Sequence, residues 1–232
     1  MRRVAIHQPN LFPWLGFFDK MRLTDVFVLL DIVPFSRAGY QHRVRIGTPS
    51  GARWLTIPVL KKGRFGELTN RVEIDGTRPW RHDQLETLRH NYAKAPAFAD
   101  LMPHLAELYE PSFERLVDFT IPSIRWLRSQ MRIHAELVLA SELLEPGLAS
   151  SELLAELVLA SGGDVYVSGP TGRDYMDEAV FSSRGVAVEF TQFVPFGYEQ
   201  LQPEFVGGLS ALDFLFNVPD AASFWDSRLR ER

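Results

Sequence analysis

The sequence predicts an α/β fold: a mostly parallel sheet flanked by helices, with a β-hairpin insertion at about 35–60 and a helical block at about 79–131, in a single domain over 1–232. Three observations predict it. Short apolar runs (Val4–Ile6, Val26–Leu30, Val165–Val167) are bounded by polar or turn residues and read as buried strands, and Val186–Phe190 reads as a further strand. Segments of helical period separate several of these runs, the rhythm of βαβ units. Between Phe35 and Val59 the period becomes two, and from Trp80 it becomes helical for three successive segments.

Val4, Ala5 and Ile6 open the sheet, and His7 and Gln8 stand at the carboxyl end of that strand, just before Pro9, which cannot donate to a ladder. The elbow Gln8–Phe12 leads into a helix over about Pro13–Leu23, with Asn10 as cap and Pro13 in the first turn, where its missing N–H costs nothing. Trp14, Phe18 and Met21 form its core stripe. Gly16 and Lys20 share another stripe, either a packing glycine with a solvated lysine or a place where a ligand approaches the helix closely. The next strand ends on Asp31, and a right-handed parallel crossover puts Asp31 on the same sheet edge as His7 and Gln8. In open α/β sheets ligands bind at that edge.

Tyr40–Ile46 and Arg53–Val59 alternate around the turn residues Thr48-Pro49-Ser50-Gly51, a hairpin signal. One face carries Tyr40, His42, Val44 and Ile46. Gln41, Arg43 and Arg45 lie on the other, either as a solvated face or as a donor-rich wall suited to carboxylate or phosphate. Lys61–Glu67 lacks phosphate-loop spacing and reads as a mobile loop, and Val72-Glu73-Ile74 as a short strand. Helices are expected over Trp80–Tyr92, Phe98–Tyr109 and Phe113–Met131, the last kinked or broken at Pro122. His82 stands near a helix start and stays a candidate; His90, His104 and His134 read as structural. Further on come a strand at Leu137–Leu139, a helix at Ser150–Ser161 ended by Gly162-Gly163, and a strand at Val165–Val167. That strand closes on Ser168-Gly169-Pro170-Thr171-Gly172-Arg173, before a helical stretch from Asp174. Ser210 opens a final apolar helix whose Asp213 is either paired and functional or a surface residue beside Asn217.

Composition narrows the chemistry. The 232 residues are 46% hydrophobic and 23% charged, ordinary globular values, with a net charge of −4 and dispersed arginines that argue against a nucleic-acid surface. The absence of cysteine removes disulfides, thiol nucleophiles and thiolate metal sites. No signal sequence or apolar run of membrane-spanning length is present, so a cytoplasmic protein is expected.

His7-Gln8-Pro9-Asn10, Pro13-Trp14-Leu15-Gly16 and Asp19-Lys20 resemble the opening signature of the WbqC-like family. The resemblance continues through Asp25-Val26-Phe27, Asp31, Gln41-His42-Arg43, Trp54–Val59, Trp80, His82 and Tyr92–Pro96. It resumes at Ser168-Gly169, Tyr175 and Leu209–Asn217, so it covers nearly the whole chain. His42 and Val44 stand where many members carry asparagine. The resemblance implies a protein of O-antigen, capsule or natural-product biosynthesis, usually described as a transferase. Acyl or aminoacyl transfer to an amino group is the reaction suggested for such proteins, with an amino sugar or carrier-bound acyl donor as partner.

Three functions are weighed. In the first, a transferase without covalent intermediate, His7 is the general base. Asp31 or Asp213 orients it or the acceptor, and Lys20, Arg43 and Arg173 hold an anionic donor. Gln8, Asn10, Trp14, Gln41, His82, Ser168, Gly169 and Asn217 complete the candidate binding set. In the second, the strand-elbow-helix opening and Ser168–Arg173 belong to a nucleotidyltransferase-like enzyme, although the paired His-x-Gly-His core is missing. In the third, the chain binds a small molecule of a glycan assembly pathway without turning it over. No motif names a cofactor, and no ligand spacing supports a metal site.

Overall fold

The computed structural model describes residues 1–230. In chain order its elements are β1 (Arg3–His7), α1 (Leu15–Arg22), β2 (Val26–Leu29), β3 (Arg43–Thr48), β4 (Gly51–Thr56), α2 (Trp80–Tyr92), α3 (Phe98–Glu107) and α4 (Leu116–Gln130). Then follow β5 (Glu136–Leu139), α5 (Ala140–Leu143), α6 (Ser150–Ala160), β6 (Val165–Ser168), α7 (Glu178–Ser182), β7 (Ala187–Phe190), α8 (Ala211–Asn217) and α9 (Ala221–Arg230). They form a five-stranded parallel sheet with helices and a separate antiparallel hairpin, an α/β fold. The chain divides into two compact units: unit 1 is Met1–Pro9, Gly16–Val33 and Ile133–Val194, and unit 2 is Asn10–Leu15, Pro34–Arg132 and the chain from Pro195 onward.

Unit 1 holds the sheet, in the order β5-β2-β1-β6-β7 with every pair parallel. The apolar runs lack strict alternation because both sheet faces are covered. On one face Val4, Ile6, Val26 and Val28 pack against Leu153, Leu157 and Val158 of α6 and Phe181 of α7. On the other, Phe17 of α1 lies 4.9 Å from the Phe27 ring of β2. Tyr166 of β6 stacks on Phe181, rings 5.2 Å apart.

Unit 2 contains the hairpin, paired from Arg43–Thr56 to Thr48–Gly51, and the helices α2, α3, α4, α8 and α9. Phe119 of α4 is ringed by Phe12, Trp80, Tyr109 and Phe113 at 4.7–5.6 Å between ring centres. A second aromatic group joins Phe196, Phe214, Phe224 and Trp225.

Several local expectations change. α4 runs unbroken through Pro122, which forfeits one N–H bond, to the Asp118 carbonyl, while Ile121, Ser123 and Ile124 beside it are buried. Val72-Glu73-Ile74 makes only isolated bridges, Val59–Ile74 and Glu73–Arg115, instead of a strand. The segment after Gly169 is a 3₁₀ turn, Pro170–Asp174, and the helix starts at Glu178, where the Asp177 carboxylate accepts the Ala179 N–H. Gln41 precedes β3 and is fully buried: its amide accepts the Ser36 N–H and donates to Thr69 Oγ1, so it is not part of a solvated strand face.

Candidate functional site

In unit 1 the sheet order reverses direction at β1: the chain builds outward through β2 and β5, then returns to the other side of β1 with β6 and β7. Such a reversal leaves a crevice at the strands' carboxyl ends, where α/β sheets bind ligands. The ladder pairs show the same feature. β1 pairs with β2 as far as His7–Leu29, but its ladder with β6 stops at Val4–Tyr166. His7 and Gln8 therefore end β1 on the side of the reversal, and Ser168 and Gly169 end β6.

His7 is half-buried, its ring 4.8 Å edge-on to Phe17. Nδ1 lies 3.0 Å from the Gln8 carbonyl oxygen. A carbonyl can only accept, so this contact assigns the proton to Nδ1 and leaves the Nε2 lone pair free to accept. Burial and the neighbouring Lys20 charge pull the His7 pKa down to about 3, against the opposing Gln8 bond. Lys20 donates from Nζ to the Ile6 carbonyl at 2.9 Å and stands 5.7 Å from the Phe27 ring centre. Burial lowers its pKa to about 8. The sequence's second stripe on α1 thus delivers a partly desolvated cation to the end of β1.

The other unit 1 candidates are placed differently. Asp31 Oδ1 accepts the Ser141 N–H at 2.9 Å and Oδ2 accepts Ser141 Oγ at 2.6 Å, so the carboxylate ties the end of β2 to the start of α5. Ser168 is buried; a Cβ at Gly172 would overlap its Oγ, so the 3₁₀ turn closes directly over the hydroxyl. Gly169 is half-buried with open space at its Cα. Arg173 is exposed, its guanidinium 4.4 Å from the Phe190 ring centre.

In unit 2 Asp213 is fully buried at the centre of a polar network. Oδ2 accepts Tyr92 Oη at 2.7 Å; Oδ1 accepts Tyr198 Oη at 2.8 Å and Gln200 Nε2 at 2.9 Å. The Tyr92 hydroxyl also accepts the Gly47 N–H at 2.8 Å, and Asn217 Nδ2 donates to the Asp213 carbonyl. Burial raises the Asp213 pKa, and the bonds from Tyr92, Tyr198 and Gln200 oppose the rise. Gly47 is required here, since a Cβ would overlap Gln202 Nε2 and stand 2.6 Å from Asp213 Oδ2. The geometry gives Asp213 and Asn217 a role in tying β3, α2 and α8 together. Sequence reasoning missed Tyr92 as a polar partner, because its place on an apolar stripe disguises a hydroxyl whose acceptor lies 121 residues away.

Arg43 lies 4.4 Å from the Trp54 ring centre and donates to the Gly39 and Ala38 carbonyls, which explains its position without a ligand. Asn10 is buried on the elbow, where Phe12 takes φ 36°, a strained value for a bulky residue; Trp14, expected on the core stripe of the first helix, instead precedes α1 and is exposed. The Phe12 carbonyl accepts Ser210 Oγ at 2.7 Å, which holds that conformation. His82 is exposed near the start of α2. Among the described residues no three His, Asp or Glu side chains are grouped to hold a metal ion, and no helix is long and apolar enough to cross a membrane.

Comparison with known proteins agrees with the residue-level resemblance. An uncharacterized protein of Mycobacterium tuberculosis, Rv1507c, is 34% identical over 220 residues, 94% of each chain. No solved structure matches. The sequence profile of the WbqC-like protein family matches residues 8–223, from Gln8 at the end of β1 into α9. The chain belongs to the WbqC-like protein family.

Proposed function

We propose that the chain is a transferase whose reaction takes place at the reversal point of the unit 1 sheet, with His7 as general base. The observation that carries this reading is the pairing of a neutral His7, its Nε2 free to accept, with the partly desolvated Lys20 at the end of β1. His7 takes the proton from an attacking amino or hydroxyl group. Lys20 and Arg173 hold an anionic acyl or aminoacyl thioester donor. The acceptor's amino group, such as that of an amino sugar, attacks the thioester carbonyl; the amide C–N bond forms as the C–S bond breaks, and the proton taken by His7 passes to the departing thiolate. An isolated imidazole of low pKa is a weak base. Burial is the larger cause of the low His7 pKa, and an anionic donor beside Lys20 offsets only the part that the lysine charge adds.

The test is incubation with amino sugars and acyl thioesters, read by mass spectrometry for the acylated product. His7→Ala abolishes product while circular dichroism and the thermal midpoint stay those of the parent. Full activity in His7→Ala sinks the assignment.

A nucleotidyltransferase-like reading is favoured by one observation. In chain order the parallel sheet runs 3-2-1-4-5, the order of the first five strands of nucleotide-binding α/β folds. Calorimetry with ATP and CTP, with and without magnesium, separates the two: nucleotide binding lost in Lys20→Met supports this second reading, and no binding removes it.

A further inference from the structure

Unit 2 contains two adjoining cavities that neither reading uses. The first, about 600 Å³, runs along β4 and the start of α2, with Arg53, Trp54, Lys61, Arg78, Trp80 and Gln84 in its wall. The second, about 480 Å³, shares Arg78 and Trp80 and adds Arg81, His82 and Phe113. Both volumes lie in the range of small-molecule sites.

Their charge is asymmetric. Arg53, Lys61 and Arg78 face Asp75 and Asp83 in the first cavity, while the second has Arg78, Arg81 and His82 with no carboxylate in its wall. The Asp75 carboxylate accepts the Thr77 N–H at 3.1 Å and Thr77 Oγ1 at 2.5 Å, bonds that lower its pKa, and the nearby Arg78 charge helps to lower it. Arg78 is thus partly offset on the side of the first cavity and meets no carboxylate in the wall of the second. Arg81 donates to the Tyr109 and Pro111 carbonyls, which orient it but do not neutralise it. His42, also in the first wall, reports the local field: burial and the Lys61 and Arg43 charges lower its pKa to about 4.

Two further polar atoms stand out. His42 and Gln84 are 2% and 3% exposed, and His42 Nδ1 and Gln84 Nε2 have no hydrogen-bond partner among the described residues. A buried polar group without a partner costs stability, and both belong to the wall of the same cavity. Gln84 Oε1 is held by Tyr109 Oη at 2.9 Å, which fixes the direction of its amide.

We propose that unit 2 carries a binding site for an oxyanion-bearing small molecule that spans both cavities, its phosphate or carboxylate group held at Arg78 and its remaining body against Trp54 and Trp80. Arg78 is the one cationic side chain common to both walls, and guanidinium grips either oxyanion through paired hydrogen bonds. The proposal does not depend on the role of His7.

Calorimetric titration of the full chain tests it, with inorganic pyrophosphate and glucose 6-phosphate as phosphate probes, citrate as the carboxylate probe, and glucose as neutral control. At least one anion binds with a Kd below about 1 mM while glucose does not, and the arm that binds identifies the head group. Arg78→Glu weakens that binding more than tenfold and Arg53→Glu weakens it less; both side chains are exposed, so the thermal midpoint reports whether the fold is kept. His7→Ala leaves the affinity unchanged. Absence of binding by every anion, or an affinity unaltered in a folded Arg78→Glu protein, overturns the proposal. Binding abolished by His7→Ala and kept in Arg78→Glu also overturns it, and assigns the anion to the other unit.

Discussion

Tyr92→Phe probes the buried network of unit 2 with almost no change in shape. The ring stays packed 5.1 Å from Phe216, so no cavity opens and the loss is confined to one hydroxyl. That hydroxyl both donates to Asp213 Oδ2 and accepts the Gly47 N–H. Losing the bond to the carboxylate costs about 1.5–3 kcal/mol, and stranding a buried N–H costs about 1–3 kcal/mol. The expected destabilisation is therefore about 2.5–6 kcal/mol, which in a chain of this length lowers the thermal midpoint by about 10 °C. Calorimetry and urea titration measure it. Tyr198→Phe is the internal control: it removes one bond to the carboxylate but strands no N–H and leaves Gln200 on Asp213 Oδ1, so its cost is about 1.5–3 kcal/mol, below that of Tyr92→Phe. In an Asp213→Asn background the Tyr92→Phe cost shrinks by about 1–2 kcal/mol, since the two side chains then no longer share a charge-assisted bond. A drop under about 2 °C in the single Tyr92→Phe protein, or full additivity with Asp213→Asn, refutes the idea that this network holds β3, α2 and α8 together.

Two further outcomes concern unit 1. Burial holds the folded-state Lys20 pKa at about 8, below its ordinary value of 10.5. Its charged form is thus disfavoured on folding, and stability attributable to Lys20 grows as pH rises from about 8 to about 10.5. Lys20→Met removes this rise, and parallel urea titrations of parent and variant across that window read it; identical pH slopes contradict the placement of Lys20. Asp31→Ala strips the carboxylate from the Ser141 N–H and Oγ, a loss of about 2–3 kcal/mol that hydrogen exchange localises to the start of α5. Unchanged exchange at Ser141 argues against this tie.

Strand identity was legible wherever an apolar run ended in turn chemistry. β1, β2, β5, β6 and β7 all fall within a residue or so of the runs that announced them; the central β1, β2 and β6, covered on both faces, write their burial into consecutive residues, while the edge strands β5 and β7 are only partly buried. α2 was legible to its ends, but of its expected stripe Leu85, Leu88 and Tyr92 only the last two are buried, and Trp80 and Gln84 complete the buried face. Gln41 was not. Alternation assigns a residue to one face or the other, but the face is a property of a strand, and the strand begins only at Arg43. Asp213 was singled out as an acid among apolar residues, yet its partners come from α2 and from the segment before α8, at separations no local pattern encodes.

By itself the sequence determined the α/β class, the strand ends that carry His7 and Gln8, and the family. These follow from local periodicity and from residues that are neighbours in the chain. Only the tertiary structure decided that the sheet reverses at β1 and that Lys20 reaches the Ile6 carbonyl. It also decided that Asp31, Gln41 and Asp213 are spent on holding elements together, and that Arg78 and Trp80 are shared by two cavities. The physical reason is that a polar side chain's role depends on which donors and charges meet it after burial, and those partners are chosen by the packing of distant elements.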